Sequence, residues 1–462
     1  MRTIVRNGRV VTSSQDVETD ILIEGEKIEA VGSFPEVEAD LEIDAAGKMV
    51  FPGGVDPHTH LETPLKGTIT ADDFYSGTVA AAIGGTTSII DFPVQSKGQD
   101  PRDSHQEWYD RADEKAVVDW GLHQIITDLP DEFFPAIDEL VREGSPSFKM
   151  FMAYPGARMV EDDVIFKAMR RSAENGAFVL MHCENGRVID LLESEALAAG
   201  HVDPSYNAVT RPPVTESEAT ARAISLAELA GVPVYVVHLT CALALEAVAA
   251  ARERGLPAYA ETCPQYLLMT EERLDEPDFG GSKYVMCPPL RTPMDQERLW
   301  KGLQTNDELV VVSTDHTPFR FADQKQMGRE AFPKIPNGVP GIEWRTLLMY
   351  QHGVIEGRFG LNRFIELIAT NPAKLFGCYP RKGEIGPGSD ADLVVFDPER
   401  ETLISVETQA TLCDYNPYDG QVVQGRIEKV MLRGQVIVDE GEFTGSRGGG
   451  QFLRRGESIP VT

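Results

Sequence analysis

Eight short apolar runs recur through the middle of the chain, each set off from the next by a stretch of helical character. They fall at 49–58, 84–93, 119–127, 147–154, 177–182, 232–238, 257–262 and 309–315. Helical patterns intervene, as at 162–175, 216–230 and 242–254. Continuous segments such as IIDF, FVLMH, VYVVH and LVVVSTD suit parallel strands buried on both faces. Eight strand–helix units in series predict an α/β fold of the TIM (β/α)8 type. An open doubly wound sheet is the competing arrangement, but no GxGxxG follows the first strand.

The two ends differ from this middle. Residues 4–11 read as a hairpin turning at Asn7-Gly8, and 20–32 as a second pair about Gly25. Near the other end ADLVVFD reads as a strand and VMLRGQVIV as a hairpin. Two β-rich ends around an α/β centre predict a composite β-sandwich drawn from residues 1–50 and 379–445, flanking a barrel over 51–378. The tail, 446–462, carries SRGGG and is expected to be loose or docked on a partner.

Charge narrows the partners. The chain of 462 residues has a formal net charge of −30, a field that repels phosphate backbones and anionic lipid. Nucleic acid is therefore not expected as a partner, and the acidity reads as a solvated surface. No apolar run approaches the ~20 residues that span a bilayer. MRTIVRNGRVV lacks the apolar stretch of a signal peptide, so a cytoplasmic location is expected. The six cysteines show no CxxC or zinc-ribbon spacing and read as reduced, mostly buried thiols. Cys183 adjoins His182 and should point to the opposite face of its strand.

In a TIM barrel the chemistry gathers at the carboxyl ends of the strands. Several of these ends carry residues that a core would not choose. The first run ends in VDPHTH, and residues two apart in an extended chain share a face, so His58 and His60 can reach one ion. HxH alone is a common pattern. Lys149 sits within SFKMFMAY, with Phe148 and Met150 facing the other way. Burial disfavours its ammonium form, although a lysine in a strand more often snorkels or finds a carboxylate. The fifth run ends at His182, the sixth at His238 and the eighth at Asp315. One such histidine is ordinarily a hydrogen-bonded core residue. Four of nine histidines, a lysine and an aspartate together at strand ends are harder to attribute to chance.

This constellation resembles the amidohydrolase superfamily and, within it, the dihydropyrimidinase and hydantoinase family. Segments similar to that family run along nearly the whole chain, including GGVDPHTH, DDFYSGTVAAAIGGTT, SFKMFMAY, HCENG, YVVHLT, ETCPQYL, YVMCPPLR, STDHTPF, PNGVPGIE and GSDADLVVFDP. The resemblance implies two divalent ions per chain, zinc by family default. His58, His60 and Asp315 would hold one ion, and His182 and His238 the other. Lys149, carboxylated by carbon dioxide, would bridge both. A bridging hydroxide would attack the ring carbonyl, with Asp315 carrying its proton to the leaving nitrogen and Tyr154 donating to the developing oxyanion. Main chain at Cys287 and Asn337 would hold the ring amides, Cys287 standing where the family has serine. PGARM, after Tyr154, also departs from the family pattern and is expected to shape the pocket around the ring substituent. A homotetramer is implied in the same way.

Three other functions compete. Allantoinase and dihydroorotase are amidohydrolases too, and dihydroorotase-like proteins carry an arginine two residues after the second histidine. Here that place holds Glu62, which should repel a substrate carboxylate, so neutral cyclic ureides are expected as substrates and dihydroorotate is not. The third is a non-catalytic scaffold resembling dihydropyrimidinase-related proteins that have lost ligands, whereas all six ligand positions are filled here.

Overall fold

The run 49–58 divides at Gly53. In the computed structural model, which describes residues 1–461, Met49–Pro52 joins the sheet built by the chain ends, and Gly54–Thr59 is the first barrel strand. The junction demands glycine, because a Cβ at position 53 would lie 2.1 Å from the Thr87 hydroxyl.

The other barrel strands are Thr86–Asp91, Asp119–Leu122 with Gln124–Ile125, Ser147–Phe151, Phe178–His182, Val234–Val236, Ala258–Thr262 and Leu309–Val312. All neighbouring pairs are parallel. The third strand is interrupted at His123, whose ring contacts the Ser147 hydroxyl inside the protein. The first and last strands are joined by main-chain pairing of His60 with His316 and, deeper in the barrel, by Arg345. Its guanidinium donates to the carbonyls of Val55 and Val312, each at 3.0 Å.

Side-chain alternation sorts the strands as the pleat requires. In Ser147–Phe151, Phe148 and Met150 join the large core beneath the helices, while Phe151 joins an inner cluster with Phe92, Leu180 and Val237. The helices follow their sequence pattern. Asp162–Asn175 buries Ile165, Ala168, Met169 and Ser172, a stripe of helical spacing, and stops at Gly176 in the left-handed region.

Strands from both chain ends form one nine-stranded sheet. Arg2–Val11 pairs Leu41–Asp44 along its first half and Met49–Pro52 along its second, so the sheet forks there and folds around a cluster that includes Val5, Ile23, Val50 and Leu393. The hairpin expected at Asn7-Gly8 is absent. The chain runs straight through as a single strand with a β-bulge, Asn7 taking φ 59°. The bulge has a purpose. Val5 and Val10 are an odd number of residues apart and would face opposite ways, yet the extra residue brings both into the same cluster.

The tail also departs from expectation. It is not loose but lies along the third barrel strand, Trp120 donating to Gln451 and Leu453 donating back to Trp120. Phe452 packs on Trp120 with ring centroids 5.0 Å apart, and Val461 is buried within the inner barrel cluster. The glycines had suggested looseness. Instead Gly450 allows close contact, since a Cβ there would meet the Val118 carbonyl at 2.0 Å.

Candidate metal centre and substrate pocket

His58, His60, Lys149, His182, His238 and Asp315 converge at the carboxyl mouth of the barrel. The Lys149 amine lies 2.9 Å from His58 Nε2. Asp315 Oδ1 is 3.2 Å from His58 Nε2 and 3.3 Å from His60 Nε2. His182 Nδ1 and His238 Nε2 are 2.9 Å apart, and the His58 and His238 rings stack at 5.4 Å. One ligand atom from each of His58, His60 and Asp315 falls within 4.8 Å of the others.

Two carboxylates orient this cluster from behind. Glu261 accepts from His58 Nδ1, and its second oxygen accepts from the Tyr235 hydroxyl at 2.9 Å. Glu184 accepts from His182 Nε2 at 2.8 Å. Each contact fixes a tautomer, leaving the lone pairs of His58 Nε2 and His182 Nδ1 turned inward. With its proton on Nδ1, His58 turns the Nε2 lone pair towards Asp315 Oδ1 at 3.2 Å, two acceptors with no proton between them. Nitrogen and carboxylate donors so disposed fit divalent ions.

The electrostatics agree. Burial pushes His60 down to about 3 and Lys149 down to about 8, so neutral imidazole and a nucleophilic amine are within easy reach. Burial also lowers His182 and His238. For Asp315 burial acts upward, but His58, His60 and His238 overcome it and hold the carboxyl well below its usual range. His238 and Asp315 sit in left-handed backbone, with φ 38° and 48°, and Tyr154 does so with φ 65°. Such strain, about 1–3 kcal/mol per residue, is characteristic of functional sites.

Tyr154, Cys287 and Asn337 face the same space. The Asn337 amide donates to Cys287 Sγ at 2.9 Å and to the Tyr154 hydroxyl at 3.5 Å. Lys66 donates to Asn337 Oδ1 at 3.0 Å and so fixes which way that amide points. The Cys287 side chain itself lines the pocket, in addition to any main-chain role. Outward lies a cavity of about 370 Å³ bounded by Leu65, Ile189 and Arg158 among others.

Residues 49–437 match the amidohydrolase family. A D-hydantoinase of Streptomyces coelicolor is 48% identical over 98% of both chains. The dihydropyrimidinase structure from Brevibacillus agri superposes with a TM-score of 0.98 at 46% identity, covering all of both chains. That of an L-hydantoinase from Arthrobacter aurescens does so with 0.89 at 32%, covering 98% of this chain and 99% of the other. The chain belongs to the amidohydrolase family, in its hydantoinase and dihydropyrimidinase branch.

Within this amidohydrolase, Glu62 does not serve as the sequence suggested. It takes φ 51° and turns away from the pocket, both oxygens accepting from Lys115 at 2.8 Å. Its charge is neutralised there and gives no ground for rejecting dihydroorotate. Sequence reasoning also gave no role to Glu184, Glu261 or Lys66, and placed Arg158 only within the PGARM loop expected to shape the pocket. Glu184 had a signal, standing two residues after His182. Glu261 had another: an acid in the buried strand Ala258–Thr262 needs a donor. His316, next to Asp315, contacts Asp72 at 3.0 Å and accepts from the Gly341 amide, so it holds the loop behind the ligands.

Proposed function

We propose that this amidohydrolase opens the ring of a dihydropyrimidine or a 5-substituted hydantoin, giving an N-carbamoyl amino acid. The observation that carries the reading is the convergence of four histidines, Asp315 and Lys149 on one buried cluster, adjoining a pocket where Tyr154, Cys287 and Asn337 offer neutral hydrogen-bonding groups. Neutral ring amides suit that pocket, and relatives named D-hydantoinase and dihydropyrimidinase support the substrate class.

In this reading His58, His60 and Asp315 would hold one divalent ion, zinc being expected, and His182 and His238 a second. Lys149, once carboxylated, would serve as a ligand shared between them. Bound there, two ions would lower the pKa of water towards 7 and polarise the ring carbonyl. Asp315 stays ionised at neutral pH and is placed to accept a proton and return it to the departing ring nitrogen. Tyr154, its pKa raised by burial, stays protonated and donates to the carbonyl oxygen as charge develops. Asn337 and the main chain at Cys287 orient the ring amides. The barrel (51–378) carries the chemistry, and the sheet of both termini (1–50 and 379–445) buttresses it. A homotetramer in the cytoplasm belongs to the same reading; no helix among the described residues is long and apolar enough to cross a membrane.

The test is kinetic. Dihydrouracil, hydantoin and a bulky 5-aryl hydantoin are compared under identical metal loading, with the N-carbamoyl product identified. Turnover of at least one of these rings is expected, and failure to open any of them rejects the proposal.

A further inference from the structure

We propose that Arg158 forms an anion subsite at the mouth of the pocket, so that rings bearing a carboxylate-terminated substituent are favoured over their neutral isosteres. The proposal rests on the ring-opening reading above and names the substrate class of the same site.

Arg158 lines both the inner pocket, with Lys149, Tyr154 and Asp315, and the outer cavity. Its position is fixed by the chain. The amides of Ala157, Arg158 and Met159 all donate to the Tyr154 carbonyl at 3.1 Å, and Val160 donates to Phe151 at 3.0 Å. One tight turn thus holds the proposed oxyanion donor and the guanidinium together. The guanidinium carbon lies 5.5 Å from the Phe151 ring centroid, and the Lys149 amine lies 5.0 Å from that same centroid. Arg158 is therefore one aromatic ring away from the reacting centre.

The guanidinium is underused. Its side chain makes a single protein hydrogen bond, from Nη2 to the Pro64 carbonyl at 3.0 Å, and among the described residues no carboxylate lies within ion-pair distance. Other arginines also lack an acid partner; what sets Arg158 apart is that it does so while lining the pocket beside Tyr154 and Asp315. Burial pulls its pKa below the usual arginine value. Lys66, at the same mouth, gives its protons to the Ile335 carbonyl and the Asn337 amide oxygen and likewise has no carboxylate. Of the acids bounding the outer cavity, Glu193 is engaged by Arg211 at 2.6 Å, and Asp190 stands exposed on the outer rim. The balance left near the ring substituent is positive. Guanidinium offers a planar fork that a carboxylate matches with two hydrogen bonds, whereas a neutral amide matches it with one acceptor and no charge.

The test uses the full-length, metal-loaded enzyme with 5-(2-carboxyethyl)hydantoin and its neutral isostere 5-(2-carbamoylethyl)hydantoin. The expected ratio of kcat/KM, acid over amide, is at least about ten at low salt, falling as ionic strength rises. Arg158→Met should lower that ratio at least about tenfold, while Arg158→Lys retains part of it. A wild-type ratio of one or less, or an unchanged ratio in Arg158→Met, overturns the subsite. Where Arg158→Met does not fold, the wild-type ratio and its salt dependence decide. Turnover of neutral rings without preference for the acid defeats the subsite alone. An enzyme that opens no ring, unsubstituted hydantoin included, defeats the ring-opening reading and the subsite with it.

Discussion

Glu261 accepts the Nδ1 proton of His58, and this one contact decides that the Nε2 lone pair of His58 faces Lys149 and Asp315. The same carboxylate accepts from the His238 amide at 3.2 Å and from the Tyr235 hydroxyl, so it links the first, sixth and seventh barrel strands behind the ligands.

Glu261→Gln keeps the volume but can turn an NH2 group towards His58 Nδ1, which reverses the tautomer. Loss of such an orienting partner commonly lowers metal affinity or activity by about 10- to 100-fold. We expect kcat/KM and bound metal to fall together in this variant. Wild-type values of both would remove Glu261 from the site's support.

How much of this was legible in the sequence follows from what each residue type reports. The barrel was visible because doubly buried parallel strands are apolar throughout, and the six candidate ligands stood out as polar residues where such runs end. Asn7-Gly8 misled because an Asn-Gly pair marks left-handed backbone, and a bulge needs that as much as a hairpin turn does. Glu62 misled because strand alternation says nothing once the chain leaves the strand. Its positive φ and the ammonium of Lys115, on a later helix–loop segment, took the side chain away. Arg158 could be placed near the substituent by its position after Tyr154, but its lack of an acid partner is a property of the folded surroundings.

Two metal ions per chain are expected when the protein is purified without chelator. Six ligand side chains from five strand ends exceed what a single tetrahedral ion uses. Elemental analysis gives the stoichiometry, and stepwise removal with a chelator should abolish turnover, with zinc restoring it. Full activity at one ion per chain would overturn the two-ion arrangement.

Lys149 is expected to be carboxylated in the active enzyme. Its pKa of about 8 leaves a substantial neutral fraction near pH 8, the form that captures carbon dioxide. Lys149→Ala should lose one ion and nearly all turnover, and short carboxylic acids should restore part of both by placing an oxygen donor in the space vacated. A bare amine on an active, metal-loaded enzyme, seen in a high-resolution density map, would contradict this.

The last prediction concerns the tail, which the structure lays against its own barrel. Arg455 donates from its main chain to Gly144 and from its side chain to the Ser147 hydroxyl at 2.8 Å, both at the entrance to the fourth strand. Leu453 is 2% exposed, and Val461 shares a cluster with Phe178. Phe178 opens the fifth strand and His182 closes it, so Val461 plugs the end of the barrel away from the candidate metal centre. Two consequences separate stability from chemistry. Leu453→Ala deletes buried methyl groups from a packed site and should destabilise by about 2–5 kcal/mol, a large part of a typical stability of ~5–15 kcal/mol. The same change should leave kcat and the metal content of the folded enzyme near wild type. Half-life at raised temperature is the appropriate measure, because a chain of this size is prone to unfold irreversibly. Because the tail packs within one chain, the loss should not depend on protein concentration. A half-life that recovers on concentrating the variant would mean that the tail acts between chains, and an unchanged half-life would mean that its burial contributes nothing.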